Sequence, residues 1–187
     1  MDIRTKILTA CRDMVCERGF RGLTMDGLAA QAGVSKRTVY RYFSSKEALI
    51  ATVLEDFMGQ VAGEVARIMR EETEPIQVLT ALQAYLVMHG RFIINPLSLK
   101  DLKEYYPHLW QKIDHFRLAQ VGALLALISS NAPPPGLTAV DSRIAAAVIL
   151  TSIQTVLNPD FLLANQLTFE AAALQLSRFL MNGFLPR

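Results

Sequence analysis

The amino-acid sequence predicts an all-α protein, with an N-terminal three-helix DNA-binding domain that contains a helix-turn-helix and a larger helical C-terminal domain. Three observations support this fold class. Apolar residues recur at helical spacing along most of the chain, breaks rich in proline and asparagine divide these stretches into helix-sized segments, and no stretch alternates as a half-buried strand would. With 187 residues, 51% of them hydrophobic, the chain can bury a core in one or two domains.

The first predicted helix begins at residue 2 or 3, reaches Arg18 and ends at Gly19. Its apolar residues return every three or four positions, which places on one buried face Ile7, Leu8, Cys11, Met14 and Val15. Cys16 lies five positions after Cys11, and this spacing points two side chains of a helix in different directions. We therefore expect neither a disulfide nor a metal pair, and we expect both cysteines to be buried in the core.

Residues 24–43, TMDGLAAQAGVSKRTVYRYF, predict two short helices joined by a tight turn. Thr24 is a typical N-cap for the first, Gly33 supplies the permissive backbone of a helix end, and Ser35 is a typical N-cap for the second. The second helix carries several hydrogen-bond donors and aromatic rings: Lys36, Arg37, Thr38, Tyr40, Arg41 and Tyr42. A helix-turn-helix places such a helix in the major groove, so this segment predicts DNA binding. The alternative is a surface helix whose basic residues are only solvated.

Charge is distributed unevenly along the chain. Residues 1–47 hold nine Lys and Arg against five Asp and Glu, a balance of +4, whereas residues 48–187 have a balance of −2. The positive charge therefore accompanies the helix-turn-helix, as binding to the phosphate backbone of DNA requires. No stretch approaches ~20 uninterrupted apolar residues, and the N-terminus lacks the pattern of a signal peptide. We therefore expect a cytoplasmic protein without a membrane partner.

Clear helix signals continue after the helix-turn-helix. Ser44 and Glu47 have the spacing of a capping box, which predicts a long helix that reaches about Glu72. The next segment carries apolar residues at helical spacing as far as Phe92, which predicts one helix up to the Asn95-Pro96 break. A short helix and a longer one, divided at residues 106–107, then extend to about residue 130.

The C-terminal third of the chain predicts two unusually apolar helices. Residues 131–136, NAPPPG, form the clearest loop, and Thr138 with Asp141 caps the next helix, over 141–158. The last helix covers about 168–182 and stops at Gly183. Both helices are apolar around most of their circumference, more than one core contact requires. We predict that the two helices of each chain form a four-helix dimer interface, and the alternative is that they fill the core of a monomer.

The first fifty residues resemble the TetR/AcrR family of bacterial repressors. The resemblance is carried by Phe20, Thr24, Leu28-Ala29, Ala32-Gly33-Val34-Ser35, Thr38, Tyr40, Tyr42-Phe43 and Ser45-Lys46-Glu47-Ala48-Leu49. It implies a homodimeric repressor in which residues 1–48 bind DNA, while residues 49–187 bind a small-molecule inducer and dimerise. Such a dimer is expected on double-stranded DNA at a palindromic operator, because its two recognition helices need half-sites about one DNA turn apart.

The resemblance also implies which side chains contact DNA. They are, in chain order, Thr24, Ser35, Lys36, Arg37, Thr38, Tyr40, Arg41, Tyr42 and Lys46. Many members of the family have glycine at the position of Arg37, so Arg37 is the first candidate here for reading a guanine, although it could equally clamp a phosphate. Lys46 lies where the family usually contacts the phosphate backbone. Val39 and Phe43 are expected in the core.

The resemblance further implies a ligand cavity in the C-terminal domain. Candidate lining residues are Phe57, Met58, Tyr85, Met88, His89, Phe92, Trp110, Phe116 and Leu150. For any one of these residues the alternative is ordinary core packing, since aromatic and methionine side chains at helical spacing usually serve that role. Because few polar residues accompany them, the predicted inducer is apolar or aromatic.

The sequence shows no catalytic motif, so we predict neither an enzyme nor a cofactor. His108 and His115 lie seven positions apart, which separates them by ~10.5 Å along a helix, too far to share one metal ion. Two alternatives to a ligand-responsive repressor stay open: a DNA-binding factor without an inducer, and a helical small-molecule carrier or interaction module. The motif itself does not decide between repression and activation.

Overall fold

The computed structural model describes residues 2–72, 75–130 and 141–184, and regular structure within these ranges is entirely helical. The helices are α1 (Ile3–Gly22), α2 (Met25–Ala32), α3 (Lys36–Tyr42), α4 (Lys46–Glu71), α5 (Pro75–His89), α6 (Arg91–Ile94), α7 (Pro96–Tyr105), α8 (Pro107–Ser130), α9 (Ser142–Val156), α10 (Pro159–Ala164) and α11 (Phe169–Phe184). The all-α prediction is confirmed. No helix in the described ranges is both long and apolar enough to cross a membrane.

The chain folds as two compact units. The first comprises Met1–Val61 and Met88–Ile113, and the second comprises Ala62–Val87 and Asp114–Arg187. The functional division after residue 48 stays a prediction. By packing, the segment from Met88 to Ile113 belongs with the helix-turn-helix, although it lies far from it in sequence.

In the first unit, α1 is the central element and packs against α2, α6 and α7. The predicted face of α1 is buried, and it includes Ile7, Leu8, Cys11, Met14 and Val15. Asp2 caps the helix, because its carboxylate accepts a hydrogen bond from the backbone N–H of Thr5 at 2.8 Å. Burial of this apolar stripe is the main source of stability for a helix of this length.

The end of α1 differs from the prediction. Gly19 does not end the helix but interrupts it, with φ 69° and ψ 178°, and one further turn follows as far as Gly22. This backbone conformation is essentially restricted to glycine, since a Cβ would clash with the neighbouring peptide. The interruption turns Phe20 into the core, where it is fully buried.

Several predicted helix limits are wrong by a turn or less. Ser45, not Ser44, caps α4, since its hydroxyl accepts the N–H of Ala48 at 3.0 Å. The helix predicted to run through Phe92 ends at His89, and Phe92 lies on the separate short helix α6. Gly90, with φ −94° and ψ 1°, separates the two helices.

Two corrections concern the C-terminal third. A short helix, α10, follows the break at Asn158-Pro159 where none was predicted, and α11 continues through Gly183 to Phe184. Asn158 caps α10 by accepting the N–H of Asp160 at 2.9 Å, a local bond that explains why this helix forms. The loop predicted at 131–136 and the cap at Thr138 lie outside the described residues. In the second unit, α9 packs against α10 and α11.

The two cysteines are both free, but they differ in exposure. Cys11 is buried as predicted, and burial raises the pKa of its thiol to about 12, which keeps it protonated and unreactive. The prediction that Cys16 is buried is wrong, because this side chain lies on the exposed side of α1.

Candidate DNA-binding surface

Local hydrogen bonds fix the turn between α2 and α3. The hydroxyl of Thr24 accepts the N–H of Gly27 at 3.2 Å, which confirms Thr24 as the N-cap of α2. Gly33 has φ 66° and ψ 35°, the left-handed conformation in which helices commonly end. The N–H of Val34 then donates to the carbonyl of Ala29 at 3.0 Å and closes the end of α2. This turn sets where α3 begins.

The recognition helix α3 is anchored by its cap and by two buried side chains. The hydroxyl of Ser35 accepts the N–H of Thr38 at 3.0 Å and lies 2.8 Å from the hydroxyl of Thr38. Val39 and Phe43 are buried, as predicted, so one side of α3 is fixed in the core. The opposite side of α3 is therefore held towards solvent by the packing of these two side chains.

The exposed side of α3 carries most of the side chains predicted to contact DNA. Arg37, Tyr40, Arg41 and Tyr42 are exposed, with 45% of Tyr40 and 42% of Tyr42 accessible to solvent. A surface depression of about 470 Å³ is lined by Ser35, Arg37, Thr38, Tyr40 and Arg41. The guanidinium of Arg41 lies 5.5 Å from the ring centre of Tyr42, an arrangement that restrains both side chains.

Lys36, at the first position of α3, is paired with an acidic residue of α2. Its ammonium lies 2.9 Å from a carboxylate oxygen of Asp26, and both side chains are exposed. The hydrogen bond and the charge of Asp26 raise the pKa of Lys36, so the ammonium stays fully charged. Asp26 was not predicted as part of this surface; from the sequence it is simply a favourable charge at the start of α2.

Lys46 differs from the other predicted contact residues. It is half-buried, and its ammonium donates to the backbone carbonyl of Arg21 at 3.2 Å. Burial lowers the pKa of Lys46, and the nearby carboxylate of Asp101 opposes that effect. Lys46 therefore holds the end of α1, and its contact with a DNA phosphate stays a prediction.

The predicted ligand-cavity residues are distributed over both units. Phe57, Met58 and Phe92 are buried in the first unit, where the rings of Phe57 and Phe92 meet edge to face with centres 5.2 Å apart. Met88 and His89 are exposed. The remaining candidates are Trp110, Tyr85 and Phe116, which are half-buried, and Leu150, whose side chain lies outside the described part of the chain. Core packing accounts for Phe57 and Phe92, and the cavity stays a prediction.

Replacing Asp26 with asparagine is expected to strengthen binding to DNA of any sequence. The change removes one negative charge beside α3 and frees Lys36 to bind a phosphate. Each new phosphate contact is expected to increase the affinity for DNA by at most about eightfold at 0.1 M salt. Fluorescence anisotropy on random duplexes at several salt concentrations measures this gain. Asp13→Asn, on the exposed side of α1, removes the same charge and serves as control. An equal gain in both variants would mean that pairing with Lys36 is irrelevant.

A comparison with known proteins finds a family model that covers the segment just described. Residues 7–53, which span most of α1, the helix-turn-helix and the start of α4, match the model of the family described as bacterial regulatory proteins, tetR family. An uncharacterised HTH-type transcriptional regulator, YvaF of Bacillus subtilis, is 29% identical over 95% of this chain and 93% of its own length. The HTH-type transcriptional repressor KstR2 of Mycolicibacterium smegmatis is 32% identical, over 54% of this chain and 52% of its own.

The whole fold also resembles solved structures. A crystal structure of the transcriptional regulator FadR from Bacillus subtilis, in complex with stearoyl-CoA, superposes with a TM-score of 0.67. The alignment covers 96% of this chain and 98% of that one, at 20% identity. The likeness therefore extends beyond the helix-turn-helix to the arrangement of the C-terminal helices.

Proposed function

Because this chain belongs to the TetR family of bacterial regulatory proteins, we propose that it binds a palindromic operator as a homodimer and leaves it when an inducer binds. It is a ligand-responsive DNA-binding repressor. The observation that carries this function is the geometry of α3, whose buried Val39 and capping Ser35 fix the helix while Arg37, Tyr40 and Arg41 face solvent. Such a helix is built to enter a major groove.

The proposed dimer interface lies on α9 and α11 of the second unit. These helices expose large apolar side chains: Ile144, Val148, Leu174 and Phe179. Phe179 alone is 74% exposed. Exposed apolar side chains on two helices that pack together are typical of a surface covered by a partner. A second copy of this chain fits, since a palindromic operator has two-fold symmetry.

Replacing Phe179 with glutamate is expected to convert the dimer to a monomer. A charged group at the centre of an apolar interface loses its hydration without gaining a partner, whereas on a free surface it is tolerated. Light scattering at micromolar concentration measures the mass, and circular dichroism confirms that helices are retained. Leu163→Glu on α10, which changes an exposed leucine in the same way, is the control. A Phe179→Glu variant that stays dimeric would place the interface elsewhere.

We propose an inducer whose bound part is apolar or aromatic. A long-chain acyl-CoA is the first compound to test, because its acyl chain is apolar although its coenzyme A part is charged. The support is the likeness to the FadR structure, which contains stearoyl-CoA and covers nearly the whole of this chain. Tyr85 and Phe116 of the second unit are half-buried aromatic side chains suited to line an apolar site. The coupling between the ligand and DNA requires only that the ligand bind one conformation of the dimer more tightly than the other.

Selection of bound fragments from genomic DNA at moderate salt, followed by sequencing, tests the function. An enriched palindrome supports a dimeric regulator and supplies the operator for later measurements. Stearoyl-CoA is then titrated into the complex, with coenzyme A alone as control. Release by stearoyl-CoA and not by coenzyme A supports an acyl-chain inducer. No enrichment from folded, dimeric protein would favour a helical carrier or interaction module instead.

A further inference from the structure

A buried carboxylate on α7 contacts the end of α1. Asp101 is only 4% exposed, and in the described ranges Ser98 is the other polar side chain buried to this extent. The Oδ2 atom of Asp101 accepts the backbone N–H of Arg21 at 2.8 Å, across eighty residues of sequence. A charge removed from water is costly unless it is well paired, so this carboxylate adds little to stability that an apolar residue could not. The presence of this carboxylate therefore indicates that it positions the end of α1.

The backbone at Gly19 is shaped to admit this carboxylate. A Cβ at Gly19 would overlap Oδ2 of Asp101 and would lie 3.0 Å from Cγ of Leu97, which is also on α7. The interruption of α1 therefore does two things at once. It clears the space in which Asp101 sits, and it exposes the N–H of Arg21 to the carboxylate, since the helical bonding pattern is broken there.

Arg21 is held by two further contacts. Its guanidinium lies 5.5 Å from the ring centre of Tyr105, at the end of α7, and its backbone carbonyl accepts the ammonium of Lys46 from α4 at 3.2 Å. Both sides of one residue's backbone are thus bound by charged side chains from two different helices. We name the four residues Arg21, Asp101, Tyr105 and Lys46 the Arg21 clamp.

The Arg21 clamp is connected to the recognition helix α3 through α2. Arg21 lies three residues before Thr24, the N-cap of α2, and Phe20 and Leu23 on either side of it are fully buried. This corner leads directly into α2, which packs against α3, so a shift of the corner moves α2 as well. On the other side, α8 begins at Pro107, directly after α7, and its residues from Asp114 onwards belong to the second unit.

We propose that the Arg21 clamp transmits movement of α7 to the α1–α2 corner, with Asp101 as the positioning residue that sets how firmly the recognition helix is held. This proposal rests on the proposed function as an operator-binding repressor. With the clamp closed, the two recognition helices of a dimer are pre-positioned for two half-sites. With it open, each helix-turn-helix still binds DNA, but the dimer loses the advantage of engaging both half-sites together.

The test compares Asp101→Asn with wild type on two DNAs, the selected operator and a random duplex of equal length. Asparagine keeps the shape of the side chain and removes its charge. We expect operator affinity to fall by about fivefold to a hundredfold, the usual range of coupling between sites, and random-duplex affinity to stay within about twofold. Hydrogen exchange at residues 19–23 is expected to speed up, because the amide of Arg21 loses its charged acceptor.

Ser98→Ala is the matched control, because Ser98 is equally buried on α7 but bonds to Asn95 of the same segment. Ser98→Ala is expected to leave unchanged the ratio of the affinity for the operator to the affinity for the random duplex. Tyr105→Leu changes an exposed residue of the clamp and is expected to lower operator affinity, as Asp101→Asn does. Agreement between the two variants means that the loss in Asp101→Asn does not come from a folding defect.

Three outcomes separate the hypotheses. Loss on the operator alone supports the clamp. Unchanged operator affinity, or an equal loss on both DNAs, in Asp101→Asn would overturn it while the repressor function stands. A wild-type protein that shows no preference for any sequence would overturn the repressor function itself.

Discussion

Replacing Arg37 with alanine is expected to abolish the preference of the protein for one base pair in each half-site. Arg37 lies in the first turn of α3, where recognition helices contact base edges, and its guanidinium has the two parallel donors that match the O6 and N7 acceptors of guanine. Loss of such a pair costs about 1–3 kcal/mol per half-site. Operator affinity should therefore fall by about fivefold to more than a hundredfold per half-site, with little change on random DNA.

Arg41→Ala is the matched control for Arg37→Ala. Both arginines line the same surface depression, but Arg41 lies in the last turn of α3 and its guanidinium lies over Tyr42. Because the C-terminal part of a recognition helix is farther from the base edges, Arg41 is expected to bind phosphate. Its loss should weaken binding to all sequences alike and reduce the salt dependence.

Titrations of both variants on the operator, on operators changed at single positions and on random DNA distinguish the two roles. If Arg37→Ala weakens operator and random DNA equally, Arg37 clamps a phosphate and another residue of α3 reads the bases. Tyr40 would then be the next candidate, since its ring is exposed on the same helix and can contact a thymine methyl group.

The helix-turn-helix could be predicted from the sequence because its limits depend on local chemistry. Thr24 and Ser35 accept hydrogen bonds from residues three positions ahead, and Gly33 adopts the left-handed backbone that it tolerates best. Such bonds join neighbours in sequence, so residue type and spacing are sufficient to identify them. The burial of Val39 and Phe43 follows from the same periodicity.

The contacts that position the surface could not be predicted, because they join residues that are distant in sequence. Asp26 and Lys36 are ten residues apart on two helices, and the pair forms only once the turn at Gly33 is made. Asp101 and Arg21 meet only when α7 packs against α1. From the sequence, Asp101 is one more charged residue of a short helix. Nothing in its neighbours distinguishes it from Lys100 or Lys103, which are exposed.

Replacing Gly19 with alanine is expected to destabilise the first unit strongly. At φ 69° and ψ 178°, a residue other than glycine costs about 1–3 kcal/mol in backbone strain. The added Cβ also overlaps Oδ2 of Asp101, and forcing an extra carbon into a filled site costs about another 1–3 kcal/mol. Together these terms remove a large part of the roughly 5–15 kcal/mol that holds a domain folded.

Gly33→Ala isolates the first of these two terms, the backbone strain. Gly33 also has a positive φ, of 66°, but a Cβ there would meet no atom within 4 Å. Its substitution should cost only about 1–2 kcal/mol, the penalty for a left-handed residue. Thermal unfolding of both variants is the measurement, and the midpoint should fall by about 10 °C for Gly19→Ala and by about 4 °C for Gly33→Ala. Equal shifts would mean that Asp101 moves aside without cost, so that the carboxylate is not held at the α1 interruption. A larger shift for Gly19→Ala, together with weaker operator binding at a temperature where the variant is folded, would mean that the packing of Asp101 against the α1 interruption contributes both to stability and to DNA recognition.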